Sequence, residues 1–340
     1  MTNQPSKKKG SWTKYIVAGL LSVLIITQWE AFIELLNTEV GEIENVSPAK
    51  ETTNSVQPEK NQNTPPTQLP PKTSKKEERT DRVKFVTWNL YNIGLSKDDE
   101  EMEYIASLLR NYDIVAVQEV STQISGPRAI TKLNEELSRK GSKWDYVISD
   151  PTSGAGAERY AYLWRTEKVK LLGRPWLVKA KDLDERINRE PYMARFKVGD
   201  NRILMGNFHA VPSSKNPAKE IELLDELHTS YSRDNLAIMG DFNLSQKAKA
   251  FDGLKSRGYR PVLLNQKTSL KTKRKDGEHL AQEYDNVFYE NSALQNLKSG
   301  VIDFSKDFET LKEARNISDH LPVWCELKWR PAETETAKGK

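Results

Sequence analysis

From residue 83 to residue 329 the chain is a succession of short apolar runs, many closed by a polar side chain, and this pattern limits the fold more than any other feature. Residues 83–90, 113–119, 145–149, 160–165, 169–178, 192–198, 202–209 and 235–241 alternate or run apolar over strand lengths, as do 261–264, 285–289, 294–301 and 322–329. Between them, 101–110, 128–139 and 219–230 carry apolar residues at helical spacing. Many strands broken by a few helices predict an α/β fold: a four-layer sandwich of two packed mixed β-sheets flanked by helices. No repeat recurs at solenoid spacing.

The sequence before residue 81 obeys different rules. Residues 1–14 form a basic flank with Lys7, Lys8, Lys9 and Lys14, and 15–36 form a hydrophobic segment interrupted by Glu30 and Glu34. This arrangement predicts a signal anchor, with a cleaved signal or a surface helix as the alternatives. The lysine flank would stay cytoplasmic, which places the rest of the chain outside: membrane-anchored and extracytoplasmic, or secreted if cleaved. Residues 37–80, rich in Pro, Thr and Gln, have almost nothing to bury and predict a disordered linker, as does the tail 331–340. The catalytic-size domain is therefore 81–330. Its net charge is too small to point to nucleic acid by itself, since the whole chain of 340 residues is only +4. One cysteine, Cys325, excludes an internal disulfide, and its strand-like setting predicts a packed, inert thiol.

Chemistry gathers at the strand ends. Asn89, Glu119, His209 and Asp241 with Asn243 close predicted strands, Asp285 stands at the edge of another, and Asp319-His320 precedes a last one. Strand-end loops are where α/β folds place their sites. Each residue alone has a structural reading: Asn89 a turn cap, Asp241-Phe-Asn243 an Asx turn, Asp319 a helix cap. Together they make an oxygen-rich set that suits a hard divalent cation better than zinc, because no cysteine or paired-histidine spacing accompanies them. His228 falls on a helix face and His279 follows the basic run Lys271-Thr-Lys-Arg-Lys275, so both read as non-catalytic. The run itself reads as a solvated hairpin tip, with a phosphate-backbone contact as the functional alternative. Lys181, Arg174 and Arg186 form no pattern.

Thr87-Trp-Asn-Leu90, Gln118-Glu119, Asn207-Phe-His-Ala210, Met239-Gly-Asp-Phe-Asn243 and Ser318-Asp-His-Leu-Pro-Val323 occur in the order of the endonuclease/exonuclease/phosphatase superfamily, which the region resembles. Glu158-Arg-Tyr-Ala-Tyr-Leu-Trp164, Arg189-Glu-Pro-Tyr-Met-Ala-Arg-Phe196 and Glu283-Tyr-Asp-Asn-Val-Phe288 are similar to its deoxyribonuclease I-like branch. The resemblance implies a metal-dependent phosphodiesterase, in the first instance a DNA endonuclease. It implies Glu119, Asn89 and Asp319 around Mg²⁺ or Mn²⁺, with Ca²⁺ as a structural ion. It further implies Glu158 partnering His209 and Asp285 partnering His320. His209 would be the general acid and His320 the base or a phosphate binder, or the reverse. Asp241 would orient the nucleophile, while Asn89, Arg189 and Asn243 would meet the phosphate. Nucleic acid and a membrane are the implied partners; no protein partner is.

Two departures bear on the substrate. Where that branch has an aromatic and an arginine that enter the DNA minor groove, this chain has Gly156 and Ser121. RNA, single-stranded DNA, a lipid headgroup, a small phosphoester and a non-catalytic binding role therefore remain alternatives.

Overall fold

A computed structural model describes residues 81–94, 97–179 and 187–331. The segments predicted as anchor and linker, nearly all of the tail, Lys181 and Arg186 lie outside the described residues. Among the described residues no helix is long and apolar enough to cross a membrane.

Two six-stranded sheets form the body. The first contains β1 (Arg82–Ile93), β2 (Ile114–Val120), β3 (Trp144–Ile148), β4 (Arg159–Arg165), β13 (Leu294–Val301) and β14 (Val323–Trp329), ordered β13-β14-β1-β2-β4-β3. The second contains β5 (Val169–Leu177), β6 (Tyr192–Val198), β7 (Asn201–His209), β8 (Leu236–Asp241), β9 (Tyr259–Pro261) and β12 (Asp285–Glu290), ordered β5-β6-β7-β8-β12-β9. β1–β2 and β7–β8 are parallel. A separate hairpin, β10 (Leu270–Lys275) and β11 (Glu278–Leu280), belongs to neither sheet. The helices are α1 (Asp99–Leu109), α2 (Ser125–Ser138), α3 (Ala218–Ile221), α4 (Leu224–Ser230), α5 (Asp252–Ser256) and α6 (Leu311–Ile317).

Strand periodicity builds three cores. Val83 and Phe85 of β1, Ile114 and Ala116 of β2, Ile203 and Met205 of β7, and Ala237 and Met239 of β8 fill the space between the sheets. Their alternates face outward: Val86, Trp88, Val115 and Val117 pack under α1 and α2, and Leu204, Phe208, Leu236 and Ile238 pack under α3 to α5. The predicted four-layer sandwich is the observed fold.

The parity also explains where the polar residues go. Asn89, Gln118, Asn207, His209, Asp241 and Asp285 occupy inward-facing positions, two or four residues along from core side chains of their own strands. The site is thus the polar end of the inter-sheet core. A buried amide pair bolts the sheets together just behind it. Gln118 Nε2 donates to Asn207 Oδ1 at 2.6 Å across the interface and to Thr87 Oγ1 at 2.8 Å, while Asn207 Nδ2 donates to the Val117 carbonyl.

Three expectations shift. The helix predicted over 219–230 divides into α3 and α4, because Leu223 and Glu226 take tighter i−3 bonds. The strand predicted at 261–264 ends at Pro261, since the Asn286 side chain captures both the N–H and the carbonyl of Leu263. α6 was not anticipated; its Thr310/Glu313 capping box was the legible signal, and Asp319 follows the helix rather than capping one. Cys325 is fully buried, and burial pushes its thiol pKa well up, as an inert thiol requires.

Gly240 is where the second sheet is tightest. It adopts φ +137°, and a Cβ there would sit 1.9 Å from the Phe208 carbonyl oxygen of the parallel neighbour. Gly240→Ala is expected to destabilise the domain by roughly 2–4 kcal/mol, from backbone strain plus a displaced carbonyl. Chemical denaturation measures it, and a variant as stable as the parent contradicts the account.

Candidate active site

Register aligns the second sheet's contribution. His209 pairs with Asp241 across β7–β8, and Asp241 pairs with Asp285 across β8–β12, so the three side chains stand in a row. Facing them, the first sheet supplies Asn89 and Glu119. By parity Glu119 should point away from the interface. It adopts φ +59°, where β2 slips register against β4, and its carboxylate returns to the site. Left-handed backbone in a non-glycine residue costs about 1–2 kcal/mol. Tyr91, Asn92 and Asn243 share that conformation, so strained backbone rings the site.

Hydrogen bonds hold these distortions. Asn89 Nδ2 bridges Glu119 Oε1 (2.9 Å) and Asp241 Oδ2 (3.1 Å), linking the two sheets' carboxylates. Its Oδ1 accepts from the Tyr91 N–H, and the Asn92 N–H donates to Glu119 Oε2 at 2.9 Å. Asn89 thus turns its amide nitrogen toward the carboxylates. Ligation through Oδ1 requires the amide to rotate.

Each imidazole is backed by its own carboxylate. His209 Nδ1 lies 2.9 Å from Glu158 Oε2, and His320 Nδ1 lies 2.8 Å from Asp285 Oδ2. Both Nε2 atoms converge on one oxygen, Asp241 Oδ2, at 3.4 and 3.5 Å. Asp241 Oδ1 accepts the Asn243 N–H at 2.8 Å, as in an Asx turn. Ser318 fixes the last segment, donating its hydroxyl to the Asn89 carbonyl and accepting the His320 N–H, while Trp88 Nε1 donates to the His320 carbonyl.

The two dyads differ in proton affinity. For Glu158, burial raises the pKa, but His209, Arg189 and the Glu119 N–H outweigh it and hold the carboxyl low. Burial opposes charge on His209, and Glu158 followed by Asp241 overcomes it, so its pKa is raised. Asp285 is pushed up to about 6, chiefly by burial and then by Asp241, against the pull of His320. Its Oδ1 is buried and lacks a partner. Burial likewise opposes charge on His320, but Asp285, Asp241 and Asp319 lift it well above the ordinary imidazole value.

Two predicted phosphate binders are engaged inside the protein. Arg189 is buried: Nη1 donates to Glu158 Oε2 at 2.9 Å and Nη2 to the Ala210 carbonyl. The buried Glu158 carboxylate requires a cation behind it, so Arg189 supports the Glu158–His209 dyad and is not held out to solvent. Asn243 Nδ2 donates to Ala210 O at 3.0 Å, which leaves its second N–H for a ligand. Asp319 accepts from Arg315 Nη2 at 3.1 Å.

Lys97 is the residue that sequence reading missed. It is buried, donates to the Asn316 carbonyl at 2.6 Å, and sits in the field of Glu101, Asp319 and Glu119. Burial draws its pKa down against those carboxylates. A lysine just beyond a strand has no signature of its own. The two other histidines are structural: His228 meets the Tyr259 ring and hydroxyl, and His279 Nε2 contacts Asp303 at 2.9 Å.

Asp241, Asp285 and His320 bring ligand atoms within 4.8 Å of one another, a spacing that could hold an ion. His320 Nδ1 and Asp285 Oδ2 lie 2.8 Å apart, however, and a cation there would compete with that hydrogen bond. A carboxylate has about four acceptor sites, and the amide and backbone N–H groups on Glu119 occupy only part of its capacity.

The chain belongs to the Endonuclease/Exonuclease/phosphatase family, a family of hydrolytic nucleases and phosphatases, whose model matches residues 86–320. The chain is 28% identical over 262 residues to deoxyribonuclease-1-like 1 of Sus scrofa, covering 72% of this chain and 80% of that protein. A family member from Bacteroides thetaiotaomicron shares the fold at TM-score 0.55 and 17% identity, over 74% of this chain and 98% of that one. A mannosyl-6-phosphatase from the same species shares it at TM-score 0.54 and 18% identity, over 72% and 99%.

A raised His209 pKa stabilises the fold fully below about 6.5, and that contribution fades as pH rises through the folded value. Glu158→Gln removes the main support for the charge, so the His209 titration midpoint should fall, as read by NMR of the ring protons. An unmoved midpoint would show that Glu158 does not control this imidazole.

Proposed function

We propose that this protein is a divalent-cation-dependent phosphodiesterase whose substrate is DNA. The observation that carries the proposal is the convergence of two carboxylate-backed imidazoles on one Asp241 oxygen, beside Glu119. Phosphodiester hydrolysis needs one group to take a proton from water and another to give one to the leaving oxygen. Two imidazoles whose partners differ in proton affinity meet that need. Glu158 stays anionic and keeps the proton on His209, which suits a general acid. His320, which Asp285, Asp241 and Asp319 lift well above the ordinary imidazole value, carries its proton in the unliganded site and suits a phosphate binder, acting as a base only once that proton has left. Asp241 orients the attacking water between them, and the free amide N–H of Asn243 meets a phosphate oxygen.

Glu119 and Asp319, joined by Asn89 after its amide rotates, are the residues that would hold Mg²⁺ or Mn²⁺, which when bound neutralises charge on a non-bridging phosphate oxygen. Lys97 offsets the mutual repulsion of those two carboxylates. The deoxyribonuclease relative supports DNA as the substrate. The basic flank and apolar segment at 7–36 support a tethered, extracytoplasmic placement.

Plasmid nicking in Mg²⁺ or Mn²⁺, run beside single-stranded DNA, RNA, phospholipid headgroups and a sugar phosphate, tests the reading. Nicking is expected for the parent chain and should vanish with a chelator. Glu119→Ala and His209→Ala should each lose about 10²–10⁴-fold in kcat. Hydrolysis of the lipid or sugar phosphate with every nucleic acid left intact would refute DNA as the substrate.

A further inference from the structure

The two rims of the site are chemically unlike. On one flank, 121–127 after β2 and 150–157 before β4 contain no lysine, arginine or aromatic ring. On the other stands the β10–β11 hairpin, with Lys271, Lys273, Arg274 and Lys275 on one strand and an Asp276-Gly277 turn at φ +54° and +78°. Strand order puts these rims on opposite sides. β4 and β2 lie to one side of β1, and β14 lies to the other; β12 is likewise across β8 from β7. The hairpin springs from the segments that lead into β12 and β14.

The hairpin is fixed to the catalytic residues themselves. Thr268 Oγ1 donates to Asp285 Oδ2 at 2.6 Å, Ser269 bridges to His320, and the Leu270 N–H donates to the Asp319 carbonyl at 2.7 Å. Arg315 Nη1 donates to the Leu270 carbonyl, and His279 ties the return strand to Asp303. The hairpin is therefore held at both strands. Lys267 takes up Glu278, but among the described residues no carboxylate pairs with Lys273, Arg274 or Lys275, all exposed. A strand of this length extends about 20 Å, long enough to lie beside several consecutive phosphates of one nucleic-acid strand. Its four cations thus face phosphates beyond the scissile one.

Resting on the phosphodiesterase reading above, we infer that the substrate is held by the phosphate backbone of a single nucleic-acid strand lying along the β10–β11 hairpin. The opposite segments 121–127 and 150–157, whose one charged side chain is Asp150, carry no cation of their own for a second strand. A lipid surface fits less well, because 271–277 has no apolar or aromatic side chain to enter it. A small phosphoester would not reach the hairpin at all.

The test is binding of a fluorescent 12-nucleotide single strand in EDTA, followed by anisotropy, for the parent chain and for a Lys273→Glu/Arg274→Glu/Lys275→Glu variant with an unaltered melting midpoint. The variant should bind at least roughly tenfold more weakly, and its log–log salt dependence should flatten by about two units. With metal, the ratio of kcat/KM on the 12-mer to that on a dinucleotide should exceed about ten for the parent and collapse in the variant. Equal binding by parent and variant overturns the inference. So does a matched duplex bound more than tenfold tighter than the single strand, or binding to anionic phosphatidylglycerol vesicles with no binding of the oligonucleotide. Hairpin-dependent binding without cleavage in any metal would leave this inference standing and remove the hydrolytic reading instead.

Discussion

Everything at the site follows from burying one carboxylate. Asp241 is 1% exposed, closes a central strand, and lies next to Asp285, which is also buried. Two such groups side by side in a low-dielectric setting cannot both stay ionised without nearby positive charge. The imidazoles of His209 and His320 provide it, each reaching Asp241 Oδ2 with one nitrogen and a private carboxylate with the other. Arg189 extends the pattern one layer deeper behind Glu158. The result is an alternation of acid and base, in which no single member can be removed without stranding another.

The alternation can be built because the strands arrive in register. A shift of one residue in β8 would turn Asp241 toward the outer helices and bring Gly240 to the interface. The close approach of Gly240 to Phe208 and the inter-sheet amide pair Gln118–Asn207 both oppose such a slip. Packing and chemistry are thus fixed by the same few residues.

Much of this was legible in the sequence. Strand periodicity located nearly every strand, and the polar residue at each strand end located Asn89, Glu119, His209, Asp241 and Asp285 before any contact was known. The partnerships Glu158–His209 and Asp285–His320 were legible only through family resemblance, since nothing local links residues 51 and 35 positions apart. What stayed hidden depends on backbone reversal or burial. The left-handed turn at Glu119 reverses its expected facing, and Arg189 is drawn inward by a buried carboxylate. Lys97 becomes a site residue only because α1 and α6 enclose it. Side-chain capture of a backbone, as Asn286 does to Leu263, likewise has no periodic signature.

The β10–β11 hairpin belongs to neither sheet, yet the residues that lead into it bond directly to Asp285 and His320. Its far end can therefore change in length or charge without altering the register on which the chemistry relies. A scaffold divided in this way can acquire a new molecular preference by rewriting a dozen surface residues. The same hydrolytic centre could then serve partners as different as a polymer and a sugar phosphate.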